Sequence, residues 1–104
     1  MAAQQPDIIE QVKENVQARI KKPRMYRVIL HNDNFTTREF VVEVLVHVFH
    51  KGLAEATALM WQVHRQGSGV AGVYPRDVAE TKVVATIKLA RDNEFPLQVT
   101  MAPE

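Results

Sequence analysis

Met25 to Leu30 (MYRVIL) alternates in the manner of a strand and is rich in β-formers. From Phe40 the spacing becomes helical: Phe40, Val41, Val44, Leu45 and Val48 share one face, running down to about Phe49. A second helix is predicted from Leu53 to about Arg65, with Ala56, Leu59, Met60 and Val63 on one face. His64 follows one turn after Met60, on a face expected to be largely buried. Val70 to Tyr74 reads as a short strand. Ala79, Val83, Ile87 and Ala90 form the stripe of a third helix, and Leu97 to Met101 a last strand.

Turn and cap residues punctuate this pattern. His31-Asn32-Asp33-Asn34 is predicted to turn, because Asn and Asp bond nearby amides and accept unusual backbone angles. Thr36 and Glu39 stand at capping-box spacing, which places the first helix start there. Lys51-Gly52 is expected to end that helix, and Gln66 to Gly69 the next. Pro75 opens the third helix, where its fixed φ is tolerated, and Lys88 and Arg91 suit that helix's C-terminal end. Asn93 to Pro96 is a turn. The order β-α-α-β-α-β predicts an α+β fold: a single small domain with a three-stranded antiparallel sheet whose apolar face is covered by three helices.

The chain has 104 residues, enough for one core. The folded core is expected over 24–104, preceded by a flexible N-terminal extension over 1–23. That extension has Ile8, Ile9, Val12, Val16 and Ile20 at loosely helical spacing and leads into the basic Arg19 to Arg24. An isolated helix of this length is marginal in water. Hydrophobic residues make up 46% and charged residues 24%, and the net charge of +1 creates no broad field for nucleic acid or an anionic membrane. The absence of cysteine removes disulfides, zinc-thiolate sites and a cysteine nucleophile, and it fits a reducing compartment. The apolar runs are too broken to span a membrane, and Met1 to Lys22 has no signal-peptide core.

Candidate chemistry narrows further. His47 and His50 are three apart on a helix, but no third ligand lies near them, so no metal is expected. No G-x-S-x-G elbow, phosphate loop or H-E-x-x-H occurs. Asp33 and His64 can be drawn as a dyad, yet nothing supplies a nucleophile. A binding module rather than an enzyme is therefore expected. Its site would be a polar cluster of Asn32, Asp33 and His64 beside a hydrophobic pocket. Two other classes stay open on the residues alone: a hydrolase using His64, and a factor-binding domain of similar fold that needs no such cluster.

Several stretches together resemble the ClpS family, adaptors of bacterial Clp proteases in the N-end rule pathway. They are Met25 to Leu30, Asn32-Asp33 with Thr36, and Glu39-Phe40-Val41. They continue with Met60-x-x-Val63-His64-x-Gln66-Gly67, Gly72-Val73 and Val78 to Val83, and close with Ala90-Arg91-x-Asn93-Glu94-x-Pro96-Leu97. The likeness spans about residues 23 to 100. It implies a fold similar to the ribosomal stalk protein C-terminal domain. It also implies a cytoplasmic bacterial monomer without cofactor, which takes proteins with N-terminal Phe, Tyr, Trp or Leu to the N-terminal domain of a ClpA-type AAA+ unfoldase.

On the matching positions, Asn32, Asp33, Asn34 and His64 would bind the substrate's α-amino group. Thr36, Arg38, Val41, Met60, Val63 and Leu97 would line the side-chain pocket, and Glu80, Thr81 and Lys82 would face the unfoldase. Two positions depart from the family pattern. Asn34 stands where Asp is common, and Arg38 where Met is common, so aromatic N-terminal residues are expected to be favoured over Leu.

Overall fold

The computed structural model describes residues 23–104. Residues 1–22, and with them nearly all of the expected extension, lie outside the described residues. The elements follow the expected order: β1 (Met25–His31), α1 (Arg38–His47), α2 (Leu53–Gln66), β2 (Ser68–Pro75), α3 (Arg76–Asp92) and β3 (Gln98–Pro103). The sheet is antiparallel with spatial order β2-β1-β3.

Alternation along β1 sets its two faces. Val28 and Leu30 are fully buried toward the helices, while Arg27, Ile29 and His31 point the other way. Against β3 the register is continuous, Val28 facing Met101 and Leu30 facing Val99. Against β2 it shifts between Val28 and Ile29, whose partners are Gly72 and Val70. The skipped residue, Ala71, is fully buried, so the bulge keeps both halves of β2 in phase with the core. Val44, Leu45, Ala56, Met60, Val63, Ala79 and Ala90 complete that core from the helix side. Thr86 also lies on the buried stripe of α3, which apolar periodicity misses; its hydroxyl is satisfied by the Lys82 carbonyl at 2.8 Å.

Three local boundaries differ from the sequence reading, and each matters for the site. His31 is not in the turn but ends β1, where its Nε2 lies 2.7 Å from Thr100 Oγ1 on β3. The cap of α1 is Thr37, not Thr36: its hydroxyl accepts from Phe40 N–H at 3.1 Å. Thr36 is committed elsewhere, as described below. α1 stops at His47 rather than near Phe49, because Lys82 Nζ donates to the Val48 carbonyl at 2.6 Å and caps the helix end. Gly67, with φ 92°, occupies the left-handed position that closes α2 and turns the chain into β2.

Candidate functional site

The loop from β1 to α1 is framed by one carboxylate. Asp33 Oδ1 accepts from the backbone N–H groups of Phe35 (2.8 Å) and Thr36 (2.6 Å), and Oδ2 accepts from the Thr36 hydroxyl (2.7 Å). Burial pushes the Asp33 pKa up, but the hydrogen bonds from Thr36 and Phe35 outweigh it and hold the carboxyl below its ordinary value. Asp33 therefore remains charged, while most of its lone pairs serve the loop. Its contribution to a ligand is chiefly field, not direct bonds.

Asn32 is fixed against the end of α2. Its N–H donates to the Gly67 carbonyl at 2.9 Å, and its Nδ2 donates to the His64 carbonyl at 3.4 Å. A carbonyl only accepts, so the amide nitrogen must face it, and Asn32 Oδ1 is left as an acceptor. The C-terminal end of α2 also brings the partial negative charge of a helix terminus to this point. A cation is thus favoured here by a carboxylate, a helix end and an amide oxygen together.

His64 is exposed rather than buried as the helical spacing suggests. The buried stripe of α2 is centred on Ala56, Met60 and Val63, and His64 falls on its edge toward half-buried Trp61. The two rings meet edge to face, with centroids 5.8 Å apart. The imidazole is thereby held at the surface, where a ligand can reach it.

These groups border a cavity of about 380 Å³ between α1, α2 and the loop. Its walls are formed by segment 32–39 with Val41, Met60, Val63 and His64. Val41, Met60 and Val63 are buried and supply apolar surface, while the polar cluster lies on the loop and at the end of α2. The volume falls within the usual range for small-ligand pockets, about 300–1,000 Å³. A phenylalanine-sized side chain with a charged amine at its base matches this division of polar and apolar wall.

The structure brings together Asn32, Asp33, Asn34, Thr36, Arg38, Val41, Met60, Val63 and His64. Leu97 is the exception. It is buried just before β3 and lines a different hollow with Ile87, Phe95 and Val99. Phe95 in that hollow packs on Phe40 of α1, with ring centroids 4.7 Å apart, so the hollow and the cavity share α1 as a neighbour. Arg38 stands at the rim with its guanidinium 5.1 Å from the centre of the Trp61 ring.

Sequence reasoning missed Phe35, Thr37 and Glu39 as wall residues. Phe35 is 77% exposed in a turn, where no periodicity marks it. The Asp33–Phe35–Thr36 frame has a detectable signal, since Asp bonding amides two and three residues on is a recurrent turn device.

The three residues expected at an unfoldase face divide. Glu80 and Thr81 are exposed on α3; Glu80 pairs with Arg76 at 3.0 Å, and the Thr81 hydroxyl donates to the Asp77 carbonyl at 2.9 Å. Lys82 turns inward to Val48 and lies 5.7 Å from the Tyr74 ring. Among the described residues no three His, Cys, Asp or Glu side chains cluster to hold a metal, and no helix is long and apolar enough to cross a membrane.

The model of the family described as ATP-dependent Clp protease adaptor protein ClpS matches residues 21–100. The chain belongs to the ClpS family. The Clp protease adapter protein ClpS of Acetivibrio thermocellus is 52% identical over 93 residues, covering 89% of this chain and 94% of that protein. The ClpS of Desulforapulum autotrophicum is 46% identical over the full length of both chains. A solved structure of Agrobacterium tumefaciens ClpS2 bound to L-phenylalaninamide superposes with a TM-score of 0.77 at 42% identity, covering 80% of this chain and all of that one. The relatives are named as adapters, a non-catalytic role, consistent with a cavity that offers acceptors and apolar wall in a chain without a nucleophile motif.

Proposed function

We propose that this ClpS-family chain binds the free α-amino group and large hydrophobic side chain of a protein's first residue. It then delivers that protein to a ClpA-type AAA+ unfoldase for degradation, with aromatic first residues preferred. The observation that carries this reading is the single cavity wall on which Asn32 and His64 stand beside Val41, Met60 and Val63. L-Phenylalaninamide, the ligand of the ClpS2 neighbour, combines a free amine with a benzyl side chain and supports the same reading.

An α-ammonium has three donors and no acceptor, so it needs about three acceptors once desolvated. Asn32 Oδ1 and a neutral His64 nitrogen supply two, and water or Asn34 the third. Each hydrogen bond to the charged group contributes about 1.5–3 kcal/mol, and burial of a Phe or Leu side chain a similar amount. After ordering costs, a free energy near −8 kcal/mol remains, about micromolar affinity. An internal residue offers at most one amide donor at this place, so a chain end is distinguished from a loop.

The preference for aromatic residues follows from Arg38. Trp61 holds its guanidinium at the rim, where a substrate ring can lie against the free face of the cation and a Leu side chain gains no such term. Glu80 and Thr81, exposed on α3, are the residues offered to the unfoldase.

Calorimetry with a short peptide bearing a free N-terminal Phe, beside its acetylated twin, tests the reading. Binding of the free peptide alone is expected. Equal binding of both, or of neither, overturns it.

A further inference from the structure

One ring at the rim of the cavity gathers two guanidinium groups. Arg38 on α1 and Arg65 on α2 lie 5.1 and 4.9 Å from the centre of Trp61, and His64 meets the same ring edge-on. Arg65 stands one helical turn after Trp61, so it shares the ring's side of α2. The ion pairs among the described residues are Lys51–Glu55 and Arg76–Glu80, and neither arginine takes part in one. The one carboxylate on the same stretch of rim is Glu39, which follows Arg38 in the first turn of α1, where the helix N-terminus already favours it. Asp33 is engaged by its own loop. Two guanidinium groups are thus gathered on one aromatic ring, and neither is in an ion pair with a described carboxylate.

This shelf adjoins the cavity mouth, because Arg38 and His64 both border the cavity and both touch Trp61. Resting on the reading of the cavity given above, we propose that Arg38 and Arg65 on Trp61 form a carboxylate-binding shelf. It selects substrates carrying Asp or Glu at the second or third residue. Guanidinium suits such a shelf because its planar fork matches a carboxylate and stacks on an aromatic face at the same time. Stacking on Trp61 removes part of the rotamer freedom that an exposed arginine loses on pairing. Consecutive peptide residues are about 3.8 Å apart, so a chain whose first side chain fills the cavity brings its next two past a shelf at the mouth.

The test uses the full chain and peptides that begin with Phe, differing only in Asp, Ala or Lys at residues two and three. Trp61 is the sole tryptophan, so its emission reports occupation of the shelf directly. The acidic peptide is expected to bind about three- to tenfold more tightly than the Lys peptide at low salt, with the gap closing at high salt. Arg65→Glu should reverse the order, and Arg65→Lys should keep its sign while shrinking it. An N-terminal Phe peptide with Ala at both positions should bind the wild type and Arg65→Glu alike, which separates the shelf from the cavity. Equal affinities for the Asp and Lys peptides, or an Asp preference that survives Arg65→Glu, overturn the shelf while leaving the cavity reading intact. Failure of every Phe peptide to bind overturns both.

Discussion

Asn32 and His64 are joined through a backbone atom: the Asn32 amide nitrogen donates to the His64 carbonyl at 3.4 Å. The bond, made by the side-chain Nδ2, leaves Asn32 Oδ1 as an acceptor and ties Asn32 to the residue that carries the imidazole. It also makes the acceptor pair a product of two distant segments, the end of β1 and the end of α2. Asn32→Ala removes the side-chain acceptor but keeps the backbone bond from residue 32 to Gly67. We expect about a 10- to 100-fold loss of affinity for a free N-terminal Phe peptide, corresponding to one hydrogen bond to a charged group. The melting temperature should change little. A variant that binds as the wild type does, measured by calorimetry, would remove Asn32 from the site.

His64 carries a mutational prediction. Its ring would accept from the ligand's ammonium, so His64→Ala should weaken binding of a free N-terminal Phe peptide about 10-fold or more, the loss of one hydrogen bond to a charged group. His64→Gln keeps a side-chain acceptor and should lose less. Calorimetry on the two variants checks this, and a His64→Ala variant that binds as the wild type does excludes the role.

Asp33 carries the pH prediction. Its folded pKa is held below the ordinary value of 3.8, so its stabilising contribution is complete above that value and is lost only as pH falls further, through the lowered one. Above about pH 5 its state does not change, and pH dependence there cannot be assigned to it. Thr36→Val removes the hydroxyl bond to Oδ2. It should destabilise the domain by about 1 kcal/mol, a shift of about 4–8 °C, because the loop is only half-buried. Thermal melts check the shift, and a change under about one degree would mean that the two backbone amides suffice to frame the loop.

Much of this arrangement is legible in the sequence, and the parts that are not share a cause. Strand alternation in β1 and the stripes of α1 and α2 follow from burial, which repeats at about 2.0 or 3.6 residues. The site lies where that repeat ends: in a turn, at a helix terminus and on the edge of a stripe. Helical spacing therefore puts His64 on the wrong side of the burial boundary. The capping pattern favours Thr36 because Glu39 lies three residues on, whereas Thr37 has Phe40 there; the Thr36 hydroxyl is engaged by Asp33, and Thr37 takes the cap. Leu97 lines a different hollow for another reason: its place just before β3 is set by the long-range pairing of β3 with β1, which local pattern does not encode.

Lys82 and Glu80 should behave differently despite their proximity. Lys82 Nζ caps α1 through the Val48 carbonyl, so Lys82→Met should cost about 1–2 kcal/mol and lower the melting temperature by several degrees. Glu80 is half-exposed in a surface pair with Arg76, and Glu80→Ala should cost less than about 0.5 kcal/mol. If Glu80 and Thr81 face the unfoldase, their alanine variants should weaken its binding at unchanged stability, read by pull-down titration alongside melts. A loss of binding confined to Lys82→Met would instead trace the effect to the fold.

Arg38→Met tests the selectivity of the rim. The substitution keeps an unbranched apolar stem over Trp61 and deletes the cation, which the native side chain holds 5.1 Å from the ring centre. An aromatic first residue then loses a cation–π term worth about 0.5–1 kcal/mol at an exposed site, whereas Leu loses nothing and gains apolar contact. The ratio of Phe to Leu affinity should fall about two- to fivefold or somewhat more, mainly by weaker Phe binding. Paired titrations of peptides differing only in the first residue give this ratio directly. A wild type that already binds Phe and Leu equally, or a ratio unmoved by the substitution, would mean that the guanidinium is occupied by Trp61 alone and does not read the substrate.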